Sequence, residues 1–366
     1  MQDFTKFSLK EHSITTLKKQ GVTQPTPIQQ EVIPLLLEDK DVIAQAQTGS
    51  GKTFSFLLPM LEKVNPEENV IQALIVAPTR ELAIQLTAEL KQLSNQNNML
   101  AVYGGQDVQQ QLKKMKQKIN IVVGTPGRLL DHIRRGTLDL SHVSMLVLDE
   151  ADQMLHIGFL NEVEAIIQQT PSTRQTALFS ATMASEVNKL AYKHMRHPHK
   201  VHIQSTTTTV EEIEQYVVET TDRQKQDALR KVLKDNRPFL AIIFCRTKRR
   251  VSRLYGDLKA QGYLVDELHG DLSQKKREKV MDAFREAKVQ LLIATDVAAR
   301  GLDVEGVTHV YNYDIPQDVE SYIHRIGRTG RAGEDGVAVT FVAAKDMQML
   351  TMIERGINKK LPRTRL

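Results

Sequence analysis

Short apolar runs rich in β-branched residues alternate with helix-like segments along the whole chain, and this alternation limits its possible folds more than any other feature. The runs are apolar at nearly every position, which is typical of parallel strands buried on both faces. Strands that alternate with helices favour a parallel sheet covered by helices. The predicted strands are "DVIAQ" from Asp41, "ALIVAP" from Ala73, "INIVVG" from Ile119, "SMLVLDE" from Ser144, "TALFSAT" from Thr176, "FLAIIFC" from Phe239, "YLVDELH" from Tyr263, "VQLLIAT" from Val289, "THVYNYD" from Thr308 and "GVAVTFV" from Gly336.

Four consecutive threonines, Thr206 to Thr209, separate the first five predicted strands from the last five. A chain of 366 residues is long enough for two domains. The sequence therefore predicts an α/β protein with two similar parallel sheets, which a short linker lets face each other across a cleft. The predicted boundaries are a first domain at 1–204, a linker at 205–210 and a second domain at 211–366.

Composition is that of an ordinary α/β protein, with 41% hydrophobic and 25% charged residues. No apolar run reaches the ~20 residues of a membrane span, and the start lacks the basic and apolar regions of a signal peptide. The single cysteine, Cys245, excludes an internal disulfide and fits a reducing, cytoplasmic location. A net charge of +5 slightly favours a polyanionic partner, since a basic balance favours nucleic acid or membrane surfaces, and a solvated basic surface remains an alternative.

The stretch "AQAQTGSGKTFSF" from Ala44 has the spacing of a phosphate-binding loop, with Ala46 where the common form has Gly. It follows a predicted strand and opens a predicted helix, which is the context that the motif requires. Its backbone N–H groups can bind a polyphosphate at the positive end of a helix. Lys52 can reach the β- and γ-phosphates, and the Thr53 hydroxyl can hold Mg²⁺. The other nucleotide-binding candidates in this loop are Thr48, Gly49, Ser50 and Gly51.

The stretch "LVLDEAD" ends an apolar strand in two acidic residues, Asp149 and Glu150. Ligands of parallel sheets bind at the carboxyl ends of the strands. Asp149 suits a direct or water-mediated contact to Mg²⁺, and Glu150 suits a general base that deprotonates the attacking water. Asp152 is also explained in part as a helix cap. Together with the phosphate loop, this pair favours hydrolysis over transfer to a second substrate.

The stretch "YIHRIGRTGRAG" in the second half brings His324, Arg325, Arg328 and Arg331 into eight residues. Arginines separated by glycines form a poor helix face but a good loop for contacting phosphate. We expect Arg328 and Arg331 to act as arginine fingers on the γ-phosphate. Because they lie in the other domain from the phosphate loop, hydrolysis would depend on domain closure.

Four predicted helices begin with Ser or Thr followed by Lys or Arg in the first turn. Ser and Thr are good N-caps, but cations in a first turn oppose the helix dipole. Two such starts in each half suggest that an external polyanion supplies the missing negative charge. Because aromatic residues are scarce, contact with a nucleic-acid backbone is favoured over base stacking. The four stretches are "APTREL", "GTPGRL", "CRTKRR" and "DLSQKKR".

With these motifs the chain strongly resembles the DEAD-box RNA helicases, and it is similar to their compact bacterial members. The resemblance extends from about Phe4 to Val342, and the motifs occur in the family's order. They are "PTPIQQ" at Pro25, "AQTGSGKT" at Ala46, "PTREL" at Pro78, "GG" at Gly104, "TPGR" at Thr125, "DEAD" at Asp149, "SAT" at Ser180, "IIFCRT" at Ile242, "HGDLSQKKR" at His269, "TDVAARGLD" at Thr295 and "HRIGRTGR" at His324.

The resemblance implies two tandem RecA-like domains that close on ATP, Mg²⁺ and single-stranded RNA. It implies that Gln29, with Gln24, recognises adenine and that Asp303 approaches the ribose. Ser180 and Thr182 would couple hydrolysis to strand separation, and His324 would help to join the domains. The RNA-binding residues that it implies are Pro78, Thr79, Arg80, Gly105, Thr125, Arg128, Arg246, Thr247, Gln274, Arg277 and Thr295.

One departure from the family's pattern lies at Val22, where an aromatic residue is usual; we expect weaker ATP binding with adenine preference kept by Gln29. The predicted function is ATP-dependent local separation of short RNA duplexes by a monomer, with pre-ribosomal particles as candidate partners. An ATP-gated RNA clamp with slow turnover remains an alternative. A DNA helicase is disfavoured by Asp152 and by the motif that contains Gln29. The histidines of "HMRHPHK" do not indicate a zinc site, because no cysteine lies near them.

Overall fold

The computed structural model describes residues 3–46, 50–94, 98–105, 117–203, 213–299, 304, 306–330 and 336–365. The chain divides into two compact units, Met1–Ser205 (unit 1) and Thr206–Leu366 (unit 2). Each unit contains one seven-stranded sheet. The predicted linker, 205–210, lies outside the described residues.

Unit 1 is built on a parallel sheet with the strand order β3-β4-β2-β5-β6-β1-β7. Its first and last strands in that order are at the sheet edges. The strands are β1 (Val42–Gln45), β2 (Ala73–Val76), β3 (Met99–Val102), β4 (Ile121–Gly124), β5 (Met145–Leu148), β6 (Gln175–Ser180) and β7 (His199–His202).

Parallel pairing requires crossover connections, and helices lie in most of the connections that the structure describes. A short 3₁₀ helix, Phe4–Lys6, precedes them. The helices of unit 1 are α1 (Glu11–Lys19), α2 (Pro27–Leu37), α3 (Lys52–Lys63), α4 (Arg80–Leu93), α5 (Pro126–Arg134), α6 (Ala151–Ile157), α7 (Leu160–Ile167) and α8 (Ser185–His194).

Unit 2 repeats this topology, with the order β10-β11-β9-β12-β13-β8-β14 and parallel pairing throughout. Each strand number is seven higher than that of its counterpart in unit 1, so the two sheets have the same connectivity. The strands are β8 (Ile213–Glu219), β9 (Ala241–Phe244), β10 (Val265–Leu268), β11 (Leu291–Ala294), β12 (His309–Asn312), β13 (Gly336–Val342) and β14 (Arg363–Arg365).

The helices of unit 2 follow the same alternation, and a 3₁₀ helix, Ala344–Asp346, precedes the last of them. No helix in the described ranges combines the length and the apolar character needed to cross a bilayer. The helices are α9 (Lys225–Asn236), α10 (Lys248–Ala260), α11 (Gln274–Arg285), α12 (Asp296–Ala299), α13 (Val319–Ile326) and α14 (Met347–Gly356).

Both faces of each sheet are buried, which explains why the central strands are apolar at every position. In β2, Ala73 and Ile75 pack on one face while Leu74 and Val76 pack on the other. Successive residues of a strand point to opposite faces, so only a continuous apolar run satisfies both. The ten predicted strands and the two-sheet α/β architecture are confirmed.

Four strands were not predicted, namely β3, β7, β8 and β14. In β7 three of four residues are exposed, and all of β14 is exposed. Both lie at sheet edges, where one face or both contact water and no apolar run is required. Strand β8 begins at Ile213, inside the polar stretch that follows the threonines, and its burial alternates at first.

Candidate nucleotide and RNA sites

The candidate residues of unit 1 follow strands at the carboxyl edge of the sheet, and they fall into two groups. Apart from Gln24 and Gln29, which precede β1, the nucleotide and coupling candidates follow β1, β5 and β6, which are adjacent in the sheet. The RNA candidates follow β2, β3 and β4, which are also adjacent. Since β2 pairs with β5, the two groups meet at that pair of strands. The carboxyl ends of the strands in the sheet of unit 1 therefore carry the nucleotide candidates and the RNA candidates next to each other.

The phosphate loop closes on a left-handed glycine. Gly51 has φ +87° and precedes α3, and a Cβ there would lie 2.6 Å from Gln29 Nε2 and 2.8 Å from Thr26 Oγ1. Gln29 is buried, donates to the Gly51 carbonyl at 2.9 Å and accepts from the Thr26 N–H at 2.9 Å. Only glycine fits both the backbone conformation and the space.

Lys52 is the first residue of α3, and it is buried. It donates to the Ala46 carbonyl at 2.8 Å. The ammonium also lies close enough to Asp149 to favour the charged form of that carboxyl. Thr53, the next residue, is half-buried at the same helix end. A lysine held at the positive end of a helix is suited to a polyphosphate.

Several predicted residues cannot be placed. Thr48, Gly49, Asp303 and Arg331 lie outside the described residues. Among the other nucleotide candidates, Ser50 directly precedes the left-handed glycine and Gln24 lies in the exposed segment before α2. Val22, the departure from the family's pattern, packs against the apolar cluster of unit 1, so it contributes to the core. The expected weakening of ATP binding stays a prediction.

Asp149 and Glu150 end β5 and are both buried. Burial raises the pKa of Asp149 to about 6, against the opposing influence of the Lys52 ammonium. Glu150 has a left-handed backbone, with φ 51° and ψ 51°, and its N–H donates to Asp149 Oδ1 at 3.0 Å. A non-glycine residue in this conformation costs free energy, and such residues cluster at functional sites.

The donors at this edge suit a divalent cation. Asp149 offers a carboxylate and Thr53 offers a hydroxyl, and Mg²⁺ prefers such oxygen ligands. Burial disfavours the charged form of the Asp149 carboxyl, and a bound cation would compensate that charge. Gly51 packs against Gln29 and Thr26, and this contact fixes the loop end at which Lys52 and Thr53 begin α3. These residues therefore fit a magnesium–triphosphate group.

Asp152 connects the end of β5 to the turn after β6. Its Oδ2 accepts from the Ala181 N–H at 3.1 Å, the Thr182 N–H at 2.9 Å and the Thr182 hydroxyl at 3.1 Å. Its own N–H donates to Ser180 Oγ at 3.3 Å, and that hydroxyl donates to the Thr182 carbonyl at 2.6 Å. The sequence explained Asp152 only in part, as a helix cap. The structure shows it as the residue that holds the Ser180–Thr182 turn.

All four predicted helix starts are confirmed. Thr79, Thr125, Thr247 and Ser273 are the N-caps of α4, α5, α10 and α11. Three of these caps accept a backbone N–H at 3.2–3.3 Å, and Thr125 occupies the cap position without a side-chain hydrogen bond. The first turns of α5, α10 and α11 contain no acidic residue.

In unit 1 the RNA candidates surround the ends of three adjacent strands. Arg80 lies beside the turn after β3, where a Cβ on Gly104 would be 3.1 Å from its guanidinium group. Gly105 follows with φ +89° and is exposed. Pro78 and Thr79 are buried after β2, and Arg128 is half-buried in α5 after β4.

In unit 2 the RNA candidates follow β9, β10 and β11, the counterparts of β2, β3 and β4. Arg246 is exposed, with its N–H donating to Asp314 Oδ2 at 2.9 Å. Gln274 and Arg277 are largely buried in the first turns of α11. Thr295 is half-buried at the end of β11. The same three positions of each sheet thus carry the candidates.

The arginine-rich segment contains two different kinds of arginine. Arg325 is buried, and its guanidinium contacts Asp296 at 2.5 and 2.8 Å, the Asn312 side chain at 3.2 Å and the Asp314 carbonyl at 2.6 Å. Arg328 is also buried, and its Nε donates to the His324 carbonyl at 3.3 Å. Arg325 therefore serves the fold of unit 2, a distinction that sequence spacing does not make.

Replacing Arg325 with Ala is expected to destabilise the protein by about 3 kcal/mol, which is the lower end of the range for breaking a buried ion pair. Asp296, which keeps 28% side-chain exposure, would lose its paired cation. The free energy of unfolding from denaturant titration measures this. Arg355→Ala in α14, which removes an exposed arginine, is the matched control. Equal stability of the two variants would contradict a structural role for Arg325.

Two family models match the chain. The model described as DEAD/DEAH box helicase matches residues 26–190 in unit 1. The model described as helicase conserved C-terminal domain matches residues 224–333 in unit 2.

Known proteins are similar over almost the full chain. The chain is 50% identical to the ATP-dependent RNA helicase CshA of Listeria monocytogenes, over 99% of this chain and 70% of that protein. It is 49% identical to the DEAD-box ATP-dependent RNA helicase CshA of Geobacillus kaustophilus, over 99% and 78% respectively. Among solved structures, S. cerevisiae Dbp5 bound to RNA and ADP BeF3 matches with a TM-score of 0.92 and 34% identity, over 100% of this chain and 96% of that one.

Proposed function

This chain belongs to the DEAD-box family of ATP-dependent RNA helicases, and we propose that each round of ATP hydrolysis separates a short RNA duplex locally. Membership makes it an RNA-dependent ATPase with two tandem RecA-like domains. The observation that supports local coupling is the adjacency of β2 and β5, which brings the RNA candidates of unit 1 next to the nucleotide candidates.

For the chemical step we propose that the phosphate loop binds ATP through its backbone N–H groups and Lys52. Thr53 and Asp149 would hold Mg²⁺, directly or through water. When bound, this ion would neutralise charge on the transferred phosphoryl group. Glu150 would accept the proton of the attacking water. Arg328 and Arg331 would stabilise the charge that develops on the γ-phosphate.

For coupling we propose that the Ser180–Thr182 turn responds to the state of the nucleotide through Asp152. Asp152 follows the proposed base by two residues and accepts three hydrogen bonds from that turn. A shift of the β5 end would therefore move the turn as well. We retain His324 as a third coupling residue and Asp303 as the ribose contact. Gln29, which donates to the Gly51 carbonyl, would link adenine recognition to the loop.

For RNA we propose binding through the phosphate backbone, with little sequence specificity. The candidates are helix N-termini and basic side chains, which contact phosphates without distinguishing bases. Ribosome assembly, with pre-ribosomal particles as partners, is the setting that we propose, and such binding is compatible with many RNA sequences. We further propose that the protein acts as a monomer in the cytoplasm.

Effector dependence of the ATPase tests this function. RNA is expected to stimulate ATP turnover strongly, whereas DNA of the same sequence is expected to stimulate it little. ATP is expected to be preferred over GTP, because Gln29 is proposed to recognise adenine. Equal stimulation by DNA would favour a DNA helicase, and equal turnover of GTP would contradict the role of Gln29. Release of a labelled strand from a short RNA duplex tests separation itself.

A further inference from the structure

A buried carboxylate in unit 2 connects the two helices that carry most of its RNA candidates. Glu267 lies in β10 and is 8% exposed. Helix α10 begins after Thr247, and helix α11 begins at Gln274 and includes Arg277. No motif of the proposed function contains Glu267.

The first connection runs from Glu267 to α10. The Ser252 hydroxyl, in the second turn of that helix, donates to Glu267 Oε2 at 2.7 Å. A short hydrogen bond to a buried carboxylate is stronger than one between neutral groups. Ser252 thereby fixes the distance between α10 and strand β10.

The second connection runs from Glu267 to α11. The Lys276 ammonium lies 3.5 Å from Glu267 Oε1, so one carboxylate contacts both helices through its two oxygens. Burial alone would raise the pKa of Glu267, but the Ser252 hydroxyl, His269 and Lys276 together hold it below its ordinary value. The carboxylate is therefore charged when it makes these contacts at neutral pH.

The third connection passes through His269. Its Nδ1 accepts the Asp271 N–H at 3.3 Å, which leaves Nε2 to carry the ring proton and donate to Glu267 Oε2 at 3.2 Å. The Leu272 N–H donates to the His269 carbonyl at 3.2 Å. The ring thus fixes the turn that leads into Ser273 and α11.

From these contacts we propose that Glu267 is a positioning residue for RNA binding, which sets the spacing of the N-termini of α10 and α11 so that one RNA strand contacts both. This rests on the proposed RNA contacts of unit 2. Two helix starts hold neighbouring phosphates only at a defined separation. The contacts of Glu267 join both helices to one strand, and none of them requires Glu267 to touch RNA.

The test compares Glu267→Gln with the wild-type full chain, using ATPase activity titrated with a uridine homopolymer. The variant removes a negative charge from a protein that binds a polyanion, so electrostatics alone predict tighter RNA binding. If Glu267 positions α10 and α11, its replacement predicts weaker RNA binding instead. We expect the RNA concentration for half-maximal stimulation to rise about tenfold, which is the effect on binding of losing one charge-assisted hydrogen bond. Turnover at saturating RNA is expected to stay unchanged.

Two further variants complete the design. Glu286→Gln, at the far end of α11, makes the same charge change at an exposed site and is expected to leave the half-maximal concentration unchanged or lower. Ser252→Ala removes the contacts of α10 with Glu267 and with His269 Nε2, at 2.7 and 3.2 Å, but keeps the contact of Lys276 with Glu267. It is expected to raise the half-maximal concentration by a smaller factor. If Glu267→Gln does not fold, Ser252→Ala decides alone.

An unchanged or lower half-maximal concentration in Glu267→Gln or, where it does not fold, in Ser252→Ala would overturn the proposal. A fall in turnover at saturating RNA together with a lower unfolding midpoint would also overturn it, because it indicates a structural role only. Absence of RNA stimulation in the wild type would instead contradict the proposed function, so the two failures are distinguishable.

Discussion

Glu150→Gln is expected to lower RNA-stimulated ATP turnover by about 10²–10⁴-fold, the usual effect of removing a general base. The amide has the shape of the carboxylate but accepts no proton. Glu150 is buried and follows β5 in a left-handed conformation that directs it away from the regular strand. Steady-state phosphate release at saturating ATP and RNA measures the loss, and equilibrium binding of a labelled ATP is expected to stay near the wild-type value.

Glu67→Gln is the control, because Glu67 is 88% exposed and the substitution makes the same charge change in unit 1. It is expected to turn over ATP at the wild-type rate. Wild-type turnover by Glu150→Gln would show that another group is the base. If that variant lost ATP turnover yet separated duplexes through many cycles as well as the wild type, the protein would be an ATP-gated clamp.

The sequence predicted the central strands because each must be apolar on both faces. The residues of β2 illustrate this, since Ala73 and Leu74 face opposite apolar clusters. The same physical rule fails at sheet edges. Strand β14, "RTR", contributes backbone pairing to β8 with fully exposed residues, so its composition carries no signal.

Candidate site residues can be proposed from the sequence where one loop contains them, but not where distant segments meet. The phosphate loop and the Asp149–Glu150 pair follow from local spacing. The hydrogen bond from Gln29 to Gly51 and those from Asp152 to Ala181 and Thr182 join segments that only the fold brings together. Gln and Asp are common in helix caps and turns, so the sequence alone did not distinguish the roles of Gln29 and Asp152.

Within the arginine-rich segment, too, the sequence does not show which residue contacts a distant part of the fold. Arg325 and Arg328 are three residues apart and are the same residue type. Arg325 is used by Asp296 and Asn312, both of which lie outside the segment, so its role depends on β12 and α12. The spacing of arginines and glycines indicated phosphate contact for the cluster but not which member serves the fold.

Arg328→Ala is expected to lower RNA-stimulated ATP turnover by about 10³-fold or more, which is the contribution of an arginine finger to phosphoryl transfer. Arg328→Lys is expected to lose most of that factor as well, because an ammonium keeps the charge but lacks the planar fork that matches phosphate oxygens. Steady-state turnover gives the loss, and denaturant unfolding of both variants shows whether the fold is intact. Arg328 is buried, so the lysine variant separates a chemical effect from a packing defect.

Arg355→Ala again serves as the control and is expected to keep wild-type turnover. Wild-type turnover in folded Arg328→Ala would contradict its role at the γ-phosphate and leave Arg331 as the remaining candidate arginine finger. A fragment ending at Ile203 gives a second test. If it hydrolysed ATP as fast as the full chain, with or without RNA, the role of Arg328 would be contradicted. That fragment contains Lys52, Asp149 and Glu150 but lacks Arg328, so the proposal requires it to be slow.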